Sequence, residues 1–298
     1  MDVAISGSHG LIGAALVASL QADGHHVLRL TRGGITNEDE IGWDPDAGRI
    51  DAPALEGVDA VVHLAGEGIG ERKWSAEQKR RIRESRLRGT AALAAAVASR
   101  EEKPRVFVSA SAIGYYGDRG DEELTEKSAP GDDFLAQLCQ EWEAETEPAA
   151  AAGVRTVHAR TGIVLARHGG VLARLLLPFK LGLGGKQGSG KQWMSWIALD
   201  DEVAALRCAI DDARLSGPVN LVAPNPVTNA EFADALGRAL HRPTVLPTPL
   251  LPLKARYGTE LVRTLLLVSQ RVLPRELERV DFRFRCPVLD GALQAILS

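Results

Sequence analysis

The sequence is poor in cysteine, and what it has is scattered. Cys139, Cys208 and Cys286 are the three cysteines in 298 residues. They are odd in number and far apart, and no Cys-x-x-Cys spacing occurs, so the sequence predicts neither a disulfide framework nor a zinc site. A reducing compartment suits such a chain. We therefore expect a cytoplasmic protein that carries no metal.

Long apolar runs and an excess of positive charge are also absent. No stretch of eighteen apolar residues occurs, so no membrane-spanning helix is predicted. The first residues, Asp2–Ile5, have the pattern of a strand and not of a secretory leader. A net charge of -4 and a pI near 6.0 argue against nucleic acid or a membrane surface as the partner of the whole molecule. We expect a soluble protein whose partner is a small molecule.

Short apolar runs alternate with longer stretches of helical composition in the first half of the chain. Apolar runs of this kind are typical of buried parallel strands. The βαβα order predicts an α/β fold with a doubly wound, parallel Rossmann sheet. The predicted strands are Val3–Ser6, Val27–Leu30, Ala60–Leu64, Val106–Ser109 and Val154–Ala159, and the predicted helices are Leu11–Ala22, Ala76–Ser99 and Asp132–Ala152.

The pattern changes after Gly162. A strand is predicted at Trp193–Ile197, followed by a helix at Asp201–Ile210 and a last helix at Leu289–Leu297. We predict a dinucleotide-binding Rossmann domain over residues 1–165. Residues 166–298 are predicted to form a smaller C-terminal substrate region, partly interleaved with the first.

Five glycines in Gly182–Gly190 predict a flexible loop between these regions. Residues 185–192 nearly match a phosphate-binding P-loop. Gln192, however, stands where the magnesium-binding Ser or Thr is required, and a strand-like segment follows instead of a helix. We reject the P-loop. A substrate loop and a plain surface loop both remain open.

The strongest functional pattern is Gly-x-x-Gly-x-x-Gly at residues 7–13, between a predicted strand and a predicted helix. Residues without a Cβ let backbone N–H groups approach a pyrophosphate, and the helix N-terminus adds about half a positive charge. Gly13 would let the helix pack closely on the first strand. We predict a dinucleotide site contacted by Gly7, Ser8, Gly10, Leu11, Ile12 and Gly13.

The end of the second strand favours NADP(H) over NAD(H). An NAD site usually has Asp or Glu there to hold the ribose hydroxyls, whereas this chain has Thr31 and Arg32. An arginine can pair bidentately with the 2′-phosphate of NADP. A solvated surface arginine is the alternative. We predict NADP(H), with Thr31 and Arg32 at its adenosine end.

The third strand ends in small residues that also suit a cofactor. Leu64, Ala65 and Gly66 would let a ribose lie against the backbone. His63, just before them, is predicted to be buried and hydrogen-bonded instead of catalytic.

Among the basic residues of its helix, Arg86 is the one that is predicted to point inward. It shares a helical stripe with Ile82, Gly89, Leu93 and Val97, and this stripe should face the sheet. An inward arginine needs an anion or carbonyl groups, and the cofactor phosphates are the candidate anion. The alternative is that Arg86 belongs with its basic neighbours to a solvated helix face.

The glycine turn, Leu64–Gly66 and Phe107–Ala112 resemble the extended and atypical short-chain dehydrogenase/reductases. Within that superfamily the chain resembles a family of nucleotide-sugar epimerases that has a C-terminal domain of unknown function. The resemblance implies an NADP(H)-dependent oxidoreductase or epimerase acting on a nucleotide-sugar-like substrate. The segments that carry it are Trp43–Pro45, His63–Glu67, Ser85–Arg86, Phe134–Ala136, Pro178–Phe179, Gly184–Gly185, Trp193–Ile197 and the last fifty residues or so.

The resemblance breaks at the catalytic pair. The superfamily uses Tyr-x-x-x-Lys, in which the lysine lowers the pKa of the tyrosine. No such spacing occurs here, and the resemblance puts Phe134 and Leu138 at the two positions. Ser109 and Ser111 remain as groups that could orient a carbonyl. Tyr116 is the remaining candidate acid, although its segment also suits packing against the nicotinamide half of the site. A protein that senses NADPH or binds another ligand without turnover is the alternative function.

Overall fold

The structure is a computed structural model that describes residues 1–33 and 35–298. Strands and helices alternate from the first residue, as predicted. The strands are β1 (Asp2–Ser6), β2 (His26–Thr31), β3 (Glu40–Asp44), β4 (Arg49–Ile50), β5 (Ala60–His63), β6 (Val106–Ala112), β7 (Glu123–Leu124), β8 (Arg155–Thr161), β9 (Ile163–Ala166), β10 (Trp193–Met194), β11 (Trp196–Ala198), β12 (Gly217–Leu221), β13 (Val227–Thr228) and β14 (Arg271–Val272).

The helices connect the strands and close the C-terminal half. Short 3₁₀ turns at Ala52–Leu55 and Ile113–Tyr116 and a π-helical turn at Val262–Leu266 accompany them. The α-helices are α1 (Leu11–Ala22), α2 (Ala76–Ala98), α3 (Phe134–Ala144), α4 (Glu147–Ala151), α5 (Gly170–Lys180), α6 (Leu199–Asp211), α7 (Asn229–Leu240), α8 (Leu250–Tyr257), α9 (Thr259–Leu261), α10 (Arg275–Arg279) and α11 (Leu289–Leu297).

Eight of these strands form one sheet in the order β12-β8-β6-β5-β1-β2-β3-β4. All neighbours in it are parallel except β3 and β4, which are antiparallel at the edge. The register pairs Ser6 with His63 and His63 with Ser109, so the ends of the central strands lie at one edge of the sheet. Parallel strands bind ligands at such an edge. The predicted doubly wound Rossmann sheet is confirmed.

Apolar side chains cover both faces of this sheet. One face carries Ile5, Val62 and Val108 against α1 and α6, and the other carries Val61 and Phe107 against α2. The strands are therefore buried on both sides, which explains why they appear in the sequence as continuous apolar runs.

The second half of the chain contributes one strand to the first. β12 pairs with β8 at the edge of the large sheet, from Gly217 opposite Val157 to Leu221 opposite Thr161. The C-terminal half is thus interleaved with the Rossmann sheet, as expected. The domain boundary between residues 165 and 166 stays a prediction.

Two predicted elements differ from the structure. The strand predicted at Trp193–Ile197 is two short strands, because β10 pairs with β13 and β11 pairs with β9 in separate sheets. The helix predicted at Asp132–Ala152 is interrupted between α3 and α4. Pro148 stands in the first turn of α4, a position that proline tolerates, but it has no N–H to donate to the carbonyl four residues earlier, so α3 cannot continue through it.

None of the helices in the described ranges is long and apolar enough to cross a membrane.

Candidate functional site

The glycine turn between β1 and α1 is held by close backbone contacts. Gly7 has φ +70°, and a Cβ there would lie 2.8 Å from the amide nitrogen of Ala65. A Cβ at Gly13 would overlap the carbonyl oxygen of Gly7. The first and last glycines are therefore required by the fold of the turn itself.

The middle glycine leaves the N-terminus of α1 open. Gly10 caps the helix with no side-chain hydrogen bond, and its backbone is extended at φ -74° and ψ 172°. Gly10 is exposed, Leu11 and Ile12 are half-buried, and Ser8 is buried. Backbone N–H groups at such a terminus are free to bind an anion. The turn therefore fits the pyrophosphate of a dinucleotide.

A cavity of about 650 Å³ lies beyond the ends of β2 and β3. Arg32 and Arg49 both line it. Arg49 is ion-paired with Asp44 at 3.0 Å, and this hydrogen bond is the main reason that the pKa of Asp44 lies below its ordinary value. Arg32 is exposed and takes part in no ion pair within the described chain. Thr31, before it, ends β2 with a buried hydroxyl that has no partner among the described residues.

His63 has the structural role predicted for it. Its Nδ1 lies 2.6 Å from the Ser6 hydroxyl, and its ring meets Trp43 edge-on with centroids 5.7 Å apart. The side chain is fully buried, and burial together with the nearby charge of Arg86 lowers its pKa to about 3. The buried ring thus supports the strand end through Ser6 and Trp43, while its Nε2 has no partner among the described residues.

Arg86 points inward from α2 to the end of β5. A Cβ at Gly66 would lie 3.1 Å from the guanidinium carbon. Nη1 donates to the carbonyl oxygens of Glu67 at 2.9 Å and Ile82 at 3.2 Å, and the guanidinium lies 5.0 Å from the Trp142 ring centroid. Burial lowers the pKa of Arg86 to about 10, so it stays cationic at neutral pH. Carbonyl groups thus satisfy part of this arginine, directly beneath Leu64–Gly66.

The three predicted catalytic hydroxyls are all buried. Ser109 makes one long contact, 3.4 Å to the carbonyl of Ala110, whereas Ser111 donates to Glu143 at 2.7 Å. The Tyr116 hydroxyl donates to Asn220 at 2.7 Å and accepts from Arg160 at 3.0 Å. Burial is the main cause that raises the pKa of Tyr116 to about 12. The phenol has no exposed surface and both its hydrogen bonds are to the protein; the catalytic role of Tyr116 stays a prediction.

Sequence reasoning missed the ion pair at the centre of this network. Glu143 of α3 binds Arg160 of β8 through two 2.8 Å hydrogen bonds, and the guanidinium carbon lies 3.4 Å from the Tyr115 ring centroid. Arg160 directly follows the predicted strand Val154–Ala159, and a charged residue at the end of a buried strand needs a partner. The position of Arg160 directly after a predicted buried strand is therefore the sequence feature that could have predicted this ion pair.

The positions of the missing catalytic pair are apolar in the structure. Leu138 is buried in a cluster with Trp74, Leu135 and Leu261, and Phe134 packs against it. The Lys79 ammonium group lies 5.0 Å from the Phe134 ring centroid, but it is ion-paired with Glu260. The fold therefore brings the glycine turn, Leu64–Gly66 and Arg86 together, while Ser111 and Tyr116 belong to a separate buried network.

Residues 3–221 match the sequence model described as the NAD dependent epimerase/dehydratase family. The chain belongs to that family. Residues 248–296 match a domain of unknown function (DUF1731). The predicted family, its C-terminal domain and a nicotinamide dinucleotide as the class of cofactor are confirmed.

Similar proteins cover the whole chain. Epimerase family protein ML0860 of Mycobacterium leprae is 48% identical over 98% of this chain and 94% of its own length. The human epimerase family protein SDR39U1, crystallised with NADPH, is 36% identical with a TM-score of 0.91, covering 99% of each chain. A nucleoside-diphosphate sugar epimerase from Corynebacterium glutamicum is 41% identical with a TM-score of 0.83, covering all of this chain and 58% of that one.

Proposed function

We propose that this chain binds NADP(H) at the glycine turn and acts as an oxidoreductase or epimerase on a nucleotide-sugar-like substrate. The observation that carries the proposal is the turn itself. Gly7 and Gly13 are sterically required, and the N-terminus of α1 behind Gly10 is open. The backbone N–H groups of Leu11 and Ile12 would hold the pyrophosphate, while the Gly10 N–H donates to the Gly7 carbonyl within the turn at 2.9 Å.

Arg32 supports NADP(H) over NAD(H). It lies at the end of β2, where the adenosine ribose of a Rossmann cofactor binds. Asp44, Asp46 and Asp51 line the same cavity, but Arg32 forms no ion pair with any of them. The full-length similarity to a protein crystallised with NADPH points the same way.

The chemistry would combine hydride transfer with an unusual proton path. Bound NADP(H) would supply or take up a hydride. Ser109 is buried like the other predicted catalytic residues, but its hydroxyl is the least engaged with the protein, so we assign it the orientation of a substrate carbonyl. The similar nucleoside-diphosphate sugar epimerase supports the substrate class. Phe134 and Leu138 cannot move a proton, so a proton would come from Tyr116, from a serine-bound water or from the substrate.

A second candidate function is binding of NADPH or another ligand without turnover. The apolar surroundings of Phe134 and Leu138 favour it, as do the hydrogen bonds that engage Ser111 and Tyr116 within the protein. General acid–base catalysis is usually worth about 10²–10⁴ in rate. Its absence is compatible with a slow enzyme or with none.

Gly10→Val tests the cofactor site. The backbone of Gly10 is extended and a Cβ there meets only the Gly7 carbonyl, at 3.3 Å, so the variant should fold. Its side chain would occupy the space of the pyrophosphate, and we expect NADPH binding in calorimetry to be abolished. Gly291→Val, where a Cβ meets nothing within 4 Å, is the control. Unchanged affinity in a folded Gly10→Val variant would falsify the assignment.

A substrate screen decides between the two functions. Nucleotide sugars are offered with NADPH or NADP while absorbance is followed, and an isomerisation assay covers reactions without net redox change. Turnover that falls strongly in Ser109→Ala supports the enzyme. NADPH binding with no turnover of any nucleotide sugar favours the second candidate.

A further inference from the structure

Strongly exposed leucine and valine side chains are concentrated in one part of the C-terminal half. Six of them have exposed fractions of 61–86%. Elsewhere in the described ranges, the exposed large apolar residues are Ile35, Val171 and Val288, at 40–54%. Isolated exposed apolar residues are ordinary, but a group of them marks an interaction site. We call the six the leucine surface: Leu177, Leu181, Leu183, Val245, Leu246 and Leu251.

The fold holds the two segments of this surface together. Arg242 Nε donates to the carbonyl of Lys180 at 2.8 Å, and the Thr248 hydroxyl donates to the carbonyl of Gly185 at 2.8 Å. A Cβ at Gly185 would overlap the carbonyl oxygen of Leu246, so the two backbones touch. The leucine surface is therefore one patch built from the end of α5, the glycine-rich loop and the segment leading into α8.

Basic residues outnumber acidic ones around this patch, where Asp234 accepts a hydrogen bond from the Thr244 hydroxyl at 2.7 Å. No Asp or Glu occurs between Glu147 and Asp200, or between Asp234 and Glu260, although the whole chain has a net charge of -4. Cations stand beside the leucines, and none of them is ion-paired with another described residue. These cations are Lys180, Lys186, Arg242, Lys254 and Arg256.

Helix α8 adds further leucine and basic residues to this surface. None of its residues is buried, and its sequence combines Leu250, Leu251 and Leu253 with Lys254 and Arg256. Leu250 and Lys254 are four residues apart and share one face of the helix, so apolar and basic side chains lie side by side on it.

We propose that the leucine surface docks this protein on a membrane that contains anionic lipids. The leucine side chains would enter the headgroup region while the five cations face the lipid phosphates and carboxylates, each contributing to the attraction. A second copy of the chain fits less well, because the cationic rims of two copies would face each other. The charge of the whole molecule argued against a membrane partner, but the segments that form this face contain basic residues and few acidic ones.

Vesicle co-sedimentation of the full chain tests the proposal. We expect binding to phosphatidylcholine vesicles that contain phosphatidylserine, weaker binding to phosphatidylcholine alone, and a decrease with added salt. Leu181→Ser/Leu246→Ser should reduce binding about tenfold or more, since each leucine loses its buried area. Ile35→Ser/Val288→Ser removes equivalent side chains from outside the leucine surface and should have no effect.

A second test variant and its control examine the contribution of positive charge to membrane binding. Lys180→Gln/Lys186→Gln should weaken binding to the phosphatidylserine vesicles, whereas Lys103→Gln/Lys127→Gln, on exposed residues elsewhere, should not. These two glutamine variants test membrane docking even if Leu181→Ser/Leu246→Ser does not fold. Absence of phosphatidylserine-dependent binding, or equal loss in test and control variants, overturns the proposal. A dimer in solution that Leu181→Ser/Leu246→Ser dissociates overturns it too, because a second copy then covers the surface.

Discussion

Arg32 and Arg49 line the same cavity but differ in their partners. Arg49 is held by Asp44, whereas Arg32 has no carboxylate partner in the described chain. An arginine without a partner can turn its whole guanidinium toward a phosphate, while a paired one must first give up its carboxylate. At the scale of single residues, this difference assigns cofactor preference to Arg32.

Arg32→Ala should therefore erase most of the preference for NADPH over NADH. A charge-assisted hydrogen bond contributes about 1.5–3 kcal/mol, which corresponds to roughly ten- to a hundredfold in affinity. Calorimetry with both cofactors measures the ratio. Arg49→Ala, from the same cavity, should leave it nearly unchanged. Equal affinities for NADPH and NADH in the unaltered protein would exclude this role.

Single residues also show where sequence reasoning reaches its limit. The glycines at positions 7 and 13 could be predicted, because the steric requirement depends on residue type and on an adjacent strand and helix. The burial of Tyr116 could not. Its partners Asn220 and Arg160 are 104 and 44 positions away, and only the assembled sheet brings them to the phenol. Local patterns do not contain such contacts.

At the scale of elements, one face of α2 carries the inward stripe. Ile82, Gly89 and Leu93 are buried on it, and Arg86 lies between them with its guanidinium under Gly66. Arg83, off the stripe, is ion-paired with Glu141 on the surface. The same helix thus carries two arginines in contrasting surroundings.

Arg86→Met should weaken NADPH binding far more than Arg83→Met. The first change removes the cation beneath Leu64–Gly66, while the second removes an exposed ion pair that contributes little. Titration with NADPH, accompanied by thermal unfolding of both variants, separates affinity from stability. Similar small effects on affinity would assign Arg86 to structural support of the Glu67 carbonyl alone.

The long periodic elements were predictable and the short ones were not. The strands of the large sheet are continuous apolar runs in the sequence. Helix α2 has buried residues at helical spacing along its 23 residues. Trp193–Ile197 looks like one strand in the sequence because its residues suit β structure. Its division into β10 and β11 depends on pairing with β13 and β9, from separate parts of the chain. Pro148 is the sequence feature that indicates the break before α4, because a helix cannot continue through a proline.

At the scale of the whole molecule, two buried carboxyl groups of α6 connect this helix to distant segments of the chain. Asp201 accepts hydrogen bonds from the backbone of Arg285 at 2.7 Å and of Cys286 at 2.9 Å. Glu202 accepts from the Thr161 hydroxyl at the end of β8, at 2.8 Å. Its second oxygen is buried and has no partner in the described chain. Burial raises the pKa of Glu202 to about 8, so the folded protein holds this carboxyl as the neutral acid near pH 7.

Glu202 should make the protein less stable as the pH rises. Its ordinary pKa is 4.5 and its folded value about 8. Between these values the folded chain keeps a proton that the unfolded chain releases, so the free energy of unfolding falls with pH across this window and levels off above it. Glu202→Gln replaces the neutral acid by a neutral amide of similar shape. We expect a flatter pH dependence, with the variant more stable than the unaltered chain by more than about 1 kcal/mol near the upper end of the window. Urea unfolding at several pH values measures this, with the exposed Glu101→Gln as control. Parallel stability curves for Glu202→Gln and the unaltered chain would show that Glu202 is already ionised in the folded protein.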